Sequence, residues 1–353
     1  MTVRRHIELP RLLEVGEGCF DGIAGRLAEH AFDLSRVYVG SGGGESTAVA
    51  GVIRGRLEEG GAEVTRGPSL AGRFEEALAL GADMIRAQAT TLIAVGGGRV
   101  IDTVKLAAAR TGIELISVPT ALSHDGISSP VASLFAGDGR RHSYAATVPA
   151  GIIVDISVIG AAPPRTLRAG LGDLVSNLTA ILDWRLAQRA GHERFDAYSA
   201  MIAENAARSV LDLDELESAQ SHERLAKGLL MSGLAMAAAG TSRPCSGAEH
   251  LISHALDGLL GEKAAMHGEQ VALGSLVSAA AHGTPLLTTL SDVYARLGLP
   301  MHPSQLSIST EDLLRAVQAA PGTRAGRYTI LSEHDLSDTA VARLLDCAFV
   351  AVG

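Results

Sequence analysis

Residues 91–112, TLIAVGGGRVIDTVKLAAARTG, join an apolar strand pattern to a helix pattern through three consecutive glycines. The same alternation occurs earlier, where RVYVGSGGG at 36–44 has the pattern of a buried strand running into a glycine loop, with helical spacing after it. ELISVPTA at 114–121 closes the series as a further strand. Strands that alternate with helices indicate a parallel sheet with helices on both faces, so this part is predicted to be a Rossmann-like α/β domain.

The second part of the chain is predicted to be almost wholly helical. GIIVDISVIG is interpreted as a strand that ends near residue 160, and two prolines in APPRTLRAG mark a domain boundary after it. Three long helical patterns follow, beginning with GDLVSNLTAILDWRLAQRAG at 172–191. We therefore expect an α/β domain at 1–160 and a helical domain at 161–353, with a cleft between them for ligands.

The glycine triplet is a candidate phosphate-binding loop. Gly96, Gly97 and Gly98 lie between the strand TLIAV and a helix that begins near Val100. Glycines there let the backbone approach a pyrophosphate, whose charge is met by amides at the helix N-terminus. The loop lacks GxGxxG spacing, and a plain strand-to-helix connection remains an equal alternative. No acidic residue ends the strand before Gly42–Gly44 to bind a ribose 2′-hydroxyl, so strict selectivity for NAD is not expected and NADP is an alternative.

Charge and cysteine content exclude several classes of function. The net charge of -9, without a cluster of Lys and Arg, excludes nucleic acid and anionic membrane surfaces as partners. Cys19, Cys245 and Cys347 are far apart and form no CxxC pair, so we expect no disulfide framework and no cysteine zinc site. MTVRRHIELPRLLEV lacks the apolar core of a signal peptide, and no apolar run has transmembrane length. A soluble cytoplasmic protein is expected.

Residues 241–270 contain three histidines whose spacing suits a metal site. His250 and His254 are four residues apart and share one helix face, whereas His267 opens a second helical run after a Gly-Glu-Lys loop. Imidazoles from two helices can meet at one divalent ion, and zinc, iron or nickel accept them. Alternatively, they are ordinary polar residues of amphipathic helices. Asp173, expected at the start of a helix, either stabilises the helix dipole or serves as an anionic ligand.

Polar residues are also concentrated in ISVPTALSHDGISSPVASL at 116–134, directly after a predicted strand. The carboxyl ends of parallel strands are where α/β proteins bind ligands, which favours a ligand-binding role for this segment. The alternative is a turn whose Ser and Asp side chains cap a helix. The residues concerned are Thr120, Ser123, His124, Asp125, Ser128 and Ser129.

Five stretches resemble the sn-glycerol-1-phosphate dehydrogenase family: GGGRVID, SVPTALSHDGISSP, AGLGDLVSN, TSRPCSGAEHLISHAL and MHGEQVALG. That family belongs to the superfamily of iron-type alcohol dehydrogenases, glycerol dehydrogenases and dehydroquinate synthases. The resemblance implies reversible hydride transfer between NAD(P)H and dihydroxyacetone phosphate, giving sn-glycerol 1-phosphate. It assigns dinucleotide binding to residues 1–160, and metal and substrate binding to residues 161–353.

The resemblance also implies roles for individual residues. Asp173, His250 and His267 would bind one divalent ion, zinc in the first place, with nickel and iron as alternatives. Asp125 and His254 would contact the substrate as catalytic residues. NAD or NADP would be bound by Gly96, Gly97, Gly98, Thr120, Ser123 and Ser129.

Some features leave alternatives open. Leu122 stands where the family has proline and Cys245 where alanine is usual, and the Gly42–Gly44 loop is unusually rich in glycine. The rival functions are a dehydrogenase of another polyol or sugar phosphate, a dehydroquinate-synthase-like cyclase, and a non-catalytic dinucleotide sensor. We expect a homo-oligomer. The candidates for binding the substrate phosphate are Lys105, Arg243, Arg324 and Arg327.

Overall fold

The computed structural model describes residues 7–137, 139 and 141–349. The chain divides into two units, Met1–Pro163 and Pro164–Gly353. The outer ends of both predicted domains, at residues 1 and 353, lie outside the described residues.

The first unit is built on a parallel sheet. Its strands and a separate hairpin are β1 (Leu12–Gly16), β2 (Arg36–Ser41), β3 (Glu63–Ser69), β4 (Thr91–Gly96), β5 (Glu114–Pro119), β6 (Val131–Phe135), β7 (Arg141–Ala145) and β8 (Gly151–Asp155). Six strands form the sheet in the order β1-β8-β5-β4-β2-β3, and every pairing within it is parallel. The predicted α/β class with a parallel sheet is confirmed.

Helices cover both faces of this sheet. They are α1 (Ile23–Glu29), α2 (Glu45–Glu59), α3 (Phe74–Arg86), α4 (Gly98–Thr111) and α5 (Ile156–Ala161). Every residue of β4 is buried, because its alternate side chains point to opposite faces that are both covered. Ile93 and Val95 pack in one apolar cluster with Ile23 of α1 and Ile53 of α2.

Two details of the first unit differ from the sequence prediction. The strand predicted to end near residue 160 ends at Asp155, because its carboxylate accepts the Ser157 N–H at 2.9 Å and starts α5. The β-branched residues of ISVIG favour a strand, but this cap decides for a helix. The antiparallel hairpin of β6 and β7 was not predicted. The predicted boundary between residues 160 and 161 lies within α5, and the expected cleft stays a prediction.

The second unit is helical throughout its described residues. Its helices are α6 (Pro164–Val175), α7 (Asn177–Arg189), α8 (Ala197–Arg208), α9 (Ala219–Ala239), α10 (Ala248–Leu260), α11 (His267–His282), α12 (Leu286–Leu297), α13 (Thr310–Ala319) and α14 (Asp338–Phe349). An apolar core joins α10, α11, α13 and α14. The predicted helical second domain is confirmed. None of the described helices is long and apolar enough to cross a membrane.

The position of Asp173 corrects the sequence analysis. It was expected at the start of a helix, but α6 begins at Pro164, and Asp173 lies two residues before its end at Val175. Proline suits the first position of a helix, since its missing N–H would have no partner there. Asp173 therefore does not stand at the N-terminus of its own helix, and the alternative reason for a buried carboxylate, ligand binding, gains weight.

Candidate active site

Three donor side chains from three helices meet in the second unit. Asp173 Oδ1 of α6 lies 3.6 Å from His250 Nε2 of α10 and 3.6 Å from His267 Nε2 of α11. The three donor atoms all lie within 4.8 Å of one another. Two ligands bound tetrahedrally to one zinc ion are separated by about 3.4 Å. The carboxylate and the two imidazoles thus fit a divalent metal ion with little adjustment.

Glycines let the helices that carry these donors approach closely. A β-carbon at Gly172 of α6 would lie 2.5 Å from the Gly268 carbonyl oxygen of α11. A β-carbon at Gly268 would lie 1.9 Å from the Ala169 carbonyl oxygen. Each glycine is next in sequence to a donor, Asp173 or His267, so this contact between backbones brings the carboxylate and the imidazole together.

The Nδ1 atom of each candidate histidine ligand lies within hydrogen-bond distance of a neighbouring side chain. His250 Nδ1 lies 3.1 Å from Glu249 Oε1, and His267 Nδ1 lies 3.1 Å from Ser253 Oγ. Glu249 is fully buried and also accepts the Thr179 hydroxyl proton at 2.9 Å. A partner at Nδ1 fixes the ring and leaves Nε2 as the metal-binding atom, which is the usual arrangement around metal-bound histidine.

The electrostatics of this group also favour a cation. Burial disfavours a charged imidazole at His250, but interactions with Asp173 and Glu249 outweigh it and raise its pKa to about 9. Two buried carboxylates therefore attract positive charge at this point, which a proton on His250 supplies and a metal ion can supply instead.

His254 lies beside this group and is not one of its three members. It is one turn after His250 on α10, and its ring centroid is 6.1 Å from that of His267. The rings of His250 and His267 are closer, at 5.1 Å. Within the described residues, His254 therefore lies outside the group that could hold a metal ion. The division into ligands and a substrate-contacting imidazole stays a prediction.

In the first unit, the predicted dinucleotide residues follow neighbouring strands at one edge of the sheet. Ser41 of β2 pairs with Val95 of β4, and Gly96 of β4 pairs with Pro119 of β5. In the sheet, β3 lies on one side of β2 and β4 lies on the other. The direction in which successive strands are added therefore reverses between β2 and β4. Ligands of open α/β sheets bind beyond the carboxyl ends of strands at such a point.

The glycines of the triplet have different surroundings. A β-carbon at Gly98 would lie 1.8 Å from His124 Nε2, so this glycine makes room for an imidazole of its own chain. His124 Nδ1 accepts the Gly126 N–H at 2.9 Å. A β-carbon at Gly97, by contrast, would meet no atom within 4 Å. Gly97 precedes α4, so its backbone is the open part of the loop that suits a phosphate group.

The remaining predicted residues lie after β5. Thr120 Oγ1 is 3.2 Å from Ser46 Oγ at the start of α2, and the Thr120 N–H donates to the Gly96 carbonyl at 3.0 Å. Asp125 begins a short 3₁₀ turn and is half-buried, as is Ser123, while Ser129 is buried. Thr120 thus lies at the sheet edge beside Gly96, and the binding roles of Thr120, Ser123 and Ser129 stay predictions.

Two functional residues were missed from the sequence. Glu249 and Ser253 were overlooked as partners of the histidines, although both stand in the SGAEHLISH string. Adjacent side chains on a helix do not normally face each other, so spacing gave no reason to pair Glu249 with His250.

Lys105 is fully buried. Its Nζ pairs with Asp102 at 2.9 Å and donates to the Gly126 carbonyl at 2.6 Å, which supports the turn after Asp125.

Comparison with known proteins covers most of the chain. Residues 14–163 match the family of iron-containing alcohol dehydrogenases. Glycerol-1-phosphate dehydrogenase (NAD(P)+) of Hyperthermus butylicus is 39% identical over 341 residues, which cover 96% of this chain and 97% of that protein. The chain belongs to the glycerol-1-phosphate dehydrogenase family. The namesake protein of Methanosarcina mazei is 38% identical, with 92% of this chain and 91% of that protein covered.

Two solved structures with the same fold are named glycerol dehydrogenases. A probable glycerol dehydrogenase from Sinorhizobium meliloti 1021 has a TM-score of 0.77 at 20% identity, with 99% of each chain covered. Glycerol dehydrogenase from Schizosaccharomyces pombe has a TM-score of 0.77 at 22% identity, with 99% of this chain and 91% of that chain covered. At such identities the likeness shows the fold alone.

Two departures from the glycerol-1-phosphate dehydrogenase family pattern, at Leu122 and Cys245, are accommodated in the interior. Leu122, in place of the expected proline, is fully buried. Cys245 is buried, and its Sγ lies 3.2 Å from Ser232 Oγ. Neither residue is one of the three grouped metal-binding candidates.

Proposed function

We propose that the protein catalyses the reversible NAD(P)H-linked reduction of dihydroxyacetone phosphate to sn-glycerol 1-phosphate at a metal centre of Asp173, His250 and His267. The convergence of these three donors within 4.8 Å carries the proposal, together with membership of the family. When bound, the nicotinamide supplies the hydride and the divalent ion supplies Lewis acidity at the ketone oxygen. Three protein donors leave coordination positions for the substrate.

Side chains around the centre prepare its geometry before substrate arrives. Glu249 and Ser253 occupy the Nδ1 atoms of the two ligand histidines, so both Nε2 lone pairs point toward the shared site. We propose that Asp125 and His254 contact the substrate, with His254 orienting it or relaying the proton of the product hydroxyl. His254 suits this role because it stands one helical turn from His250 without joining the ligand group.

The proposed dinucleotide site uses the backbone of Gly96–Gly98 with Thr120, Ser123 and Ser129. Open space at Gly97 and the N-terminus of α4 suit a pyrophosphate. β2 ends at Ser41 and continues into Gly42–Gly44, so no carboxylate stands there to favour NAD over NADP. We therefore propose that both dinucleotides are accepted.

The proposed metal is zinc, with nickel or iron as the alternatives. A carboxylate and two imidazoles suit all three ions, and affinity order and availability in the cell decide among them. Elemental analysis of protein purified without added metal identifies the ion that the cell supplies. Removal with a chelator and reloading with each ion in turn then ranks the activity that they support.

A spectrophotometric assay tests the reaction directly. Metal-loaded protein is mixed with NADH or NADPH and a panel of ketones that includes dihydroxyacetone phosphate, other phosphorylated ketones and unphosphorylated dihydroxyacetone. Oxidation of the cofactor with dihydroxyacetone phosphate, and formation of the sn-1 product, is expected. Turnover of a different ketone alone would contradict the substrate assignment while leaving the metal-dependent dehydrogenase class intact.

A cytoplasmic location and a homo-oligomer also belong to the proposal. Cys19, Cys245 and Cys347 are all free thiols, as in proteins of a reducing compartment. Light scattering coupled to gel filtration measures the oligomer, which we expect to be a dimer or larger.

A further inference from the structure

Two of the four basic residues considered for the substrate phosphate already have partners that explain them. Lys105 is occupied by Asp102 and the Gly126 carbonyl in the interior of the first unit. Arg243, which is 1% exposed, forms two hydrogen bonds with the Glu193 carboxylate and donates to the Tyr328 carbonyl at 2.8 Å. Both charges are used to hold the fold together.

Arg324 and Arg327 are different, because both converge on one hydroxyl and lack a paired acid. Arg324 Nη1 lies 2.9 Å and Arg327 Nη2 lies 3.0 Å from Ser242 Oγ. Neither guanidinium forms an ion pair with a carboxylate in the part of the chain that the structure describes. Arg327 is 8% exposed, and a buried charge without a counter-ion is costly. Two adjacent guanidiniums therefore leave a net positive charge at Ser242.

The same group keeps hydrogen-bond donors available. Ser242 Oγ accepts from both arginines, so its own O–H proton is free to donate. Nε of Arg324 and of Arg327 has no partner among the described residues, and Ser242 and Arg324 reach the surface. A fork of N–H groups beside a hydroxyl matches the oxygens of a phosphate monoester.

The charge balance points the same way. Burial, together with the nearby guanidiniums of Arg324 and Arg243, lowers the pKa of Arg327 to about 9. Glu193 opposes that shift, yet it is engaged bidentately by Arg243. A bound anion would remove the repulsion between the two unpaired arginines.

This arginine pair is attached to the helix that carries a proposed metal ligand. Arg327 Nη1 donates to the Ser246 carbonyl at 2.8 Å, just before α10 begins at Ala248. His250 is in the first turn of that helix, four residues after Ser246, so the arginine pair is hydrogen-bonded to the backbone that leads into a proposed metal ligand.

We propose that Arg324 and Arg327, with the hydroxyl of Ser242, bind the phosphate group of the substrate, an inference that rests on the proposed function. The site would select phosphorylated ketones over their unphosphorylated forms. Arg243 supports it by holding the neighbouring backbone at Tyr328 and does not itself bind the anion.

Kinetics and phosphate binding test the arginine pair together. Arg324→Gln changes an exposed side chain, so the fold should survive, and Arg327→Lys keeps a charge while removing the fork. In the metal-loaded enzyme we expect Arg324→Gln to raise KM for dihydroxyacetone phosphate about tenfold to a hundredfold, with a smaller change in kcat. Calorimetry should show a similar loss of affinity for inorganic phosphate, and Arg327→Lys should give an intermediate loss.

The control is Arg315→Gln, which removes an exposed arginine that pairs with Glu311 on α13. It should leave KM and phosphate affinity unchanged. Unaltered KM and phosphate affinity in both arginine-pair variants would overturn the phosphate site while leaving the proposed reaction standing. A wild-type protein inactive on dihydroxyacetone phosphate would contradict the proposed reaction. The phosphate titration would then decide the site alone, with weaker binding in the variants supporting it.

Discussion

The two proposed sites are constructed from different kinds of groups. In the first unit, the proposed cofactor edge consists largely of backbone: strand ends, the open Gly97 and the N-terminus of α4. In the second unit, the proposed metal centre consists of side chains, the buried Asp173 and the partly buried His250 and His267. Glu249 and Ser253 hold the two imidazoles in place. A backbone site tolerates many sequences, whereas a side-chain site depends on a few residue types.

This difference explains how well each proposed site could be recognised from the sequence. Histidine and aspartate are needed for the metal centre, so their presence in the sequence is informative in itself. A glycine triplet is needed wherever backbones approach closely, and Gly98 shows this because it accommodates His124 of its own chain. Within one triplet, Gly98 is therefore a packing position, and Gly97 is the proposed phosphate-binding position.

The largest effect on activity should follow from removing a proposed metal-binding side chain in the second unit. His267→Ala leaves two protein donors, so the metal should be lost and kcat/KM should fall by about 1,000-fold or more. Binding of NADPH, followed by its fluorescence, should change little if the cofactor edge is built separately. Elemental analysis reports the metal content. His302→Ala, which removes an exposed histidine, serves as the control.

A His267→Ala protein with full metal content and activity would refute the ligand set. Loss of NADPH binding together with the metal would show that the proposed cofactor edge and metal centre depend on each other. The contrast between the two sites would then not hold.

A smaller loss is expected when the support of a ligand is changed. Glu249→Gln keeps the shape of the side chain but removes the negative charge that faces His250 Nδ1. Metal affinity should fall about 10–100-fold, and excess metal should restore most of the activity. Competition with a chromogenic chelator measures the affinity. Glu223→Gln, which breaks a surface pair with Lys227 on α9, should have no effect on it. Equal metal affinity in both variants would show that Glu249 is only a packing residue.

The sequence predicted the elements of the site better than their surroundings. The order of strands and helices could be predicted because each type has its own period of apolar residues, and the glycine loops lie between them. Asp173 was found as a candidate ligand, but its helix was placed wrongly, because Pro164 was interpreted as a break when it is the first residue of α6. Helix ends depend on caps and tertiary contacts that the apolar period does not encode.

The supporting residues could not be predicted from spacing. Glu249 and His250 are adjacent, and the rule that neighbours on a helix diverge argues against their contact. The gathering of Arg324 and Arg327 around Ser242 joins segments that are 82 and 85 residues apart, which no local pattern reveals. Contacts of this kind follow from tertiary packing and were visible only in the structure.

Two neighbouring glycines sharpen the comparison within the first unit. Gly98→Ala would force His124 away and break its hydrogen bond with the Gly126 N–H, so stability should fall by about 1–3 kcal/mol. Gly97→Ala should change stability by less than about 0.5 kcal/mol, since its φ of -75° suits alanine and the space is open. It should nevertheless weaken NADPH binding, because the added methyl group would occupy the proposed phosphate position.

Urea unfolding and NADPH titration of both glycine variants separate stability from binding. Gly97→Ala protein that binds NADPH as tightly as the wild type would remove the phosphate from this position. An unchanged stability in Gly98→Ala would show that His124 finds another conformation at no cost.

The smallest effect concerns Glu215, a surface carboxylate that precedes α9 in the second unit. Hydrogen bonds from Ser218 and from the Glu217 N–H, at the start of α9, lower the pKa of Glu215 to about 2. A lowered folded-state pKa means that the ionised group stabilises the fold above its unfolded pKa of 4.5. That contribution is lost as the pH falls from about 4.5 toward 2. Glu215→Gln should therefore be less stable than the wild type at pH 7, and the difference should shrink below pH 4.5.

Urea unfolding of wild type and Glu215→Gln at a series of pH values between 7 and about 3 measures this change. The matched control is Glu29→Gln at the exposed end of α1, where no described hydrogen bond holds the carboxylate. A Glu215→Gln difference that stayed constant with pH would mean that the side chain acts through its shape and that its charge contributes nothing. Charged side chains would then stabilise the second unit at buried positions, such as the Arg243–Glu193 pair, and not at this surface carboxylate.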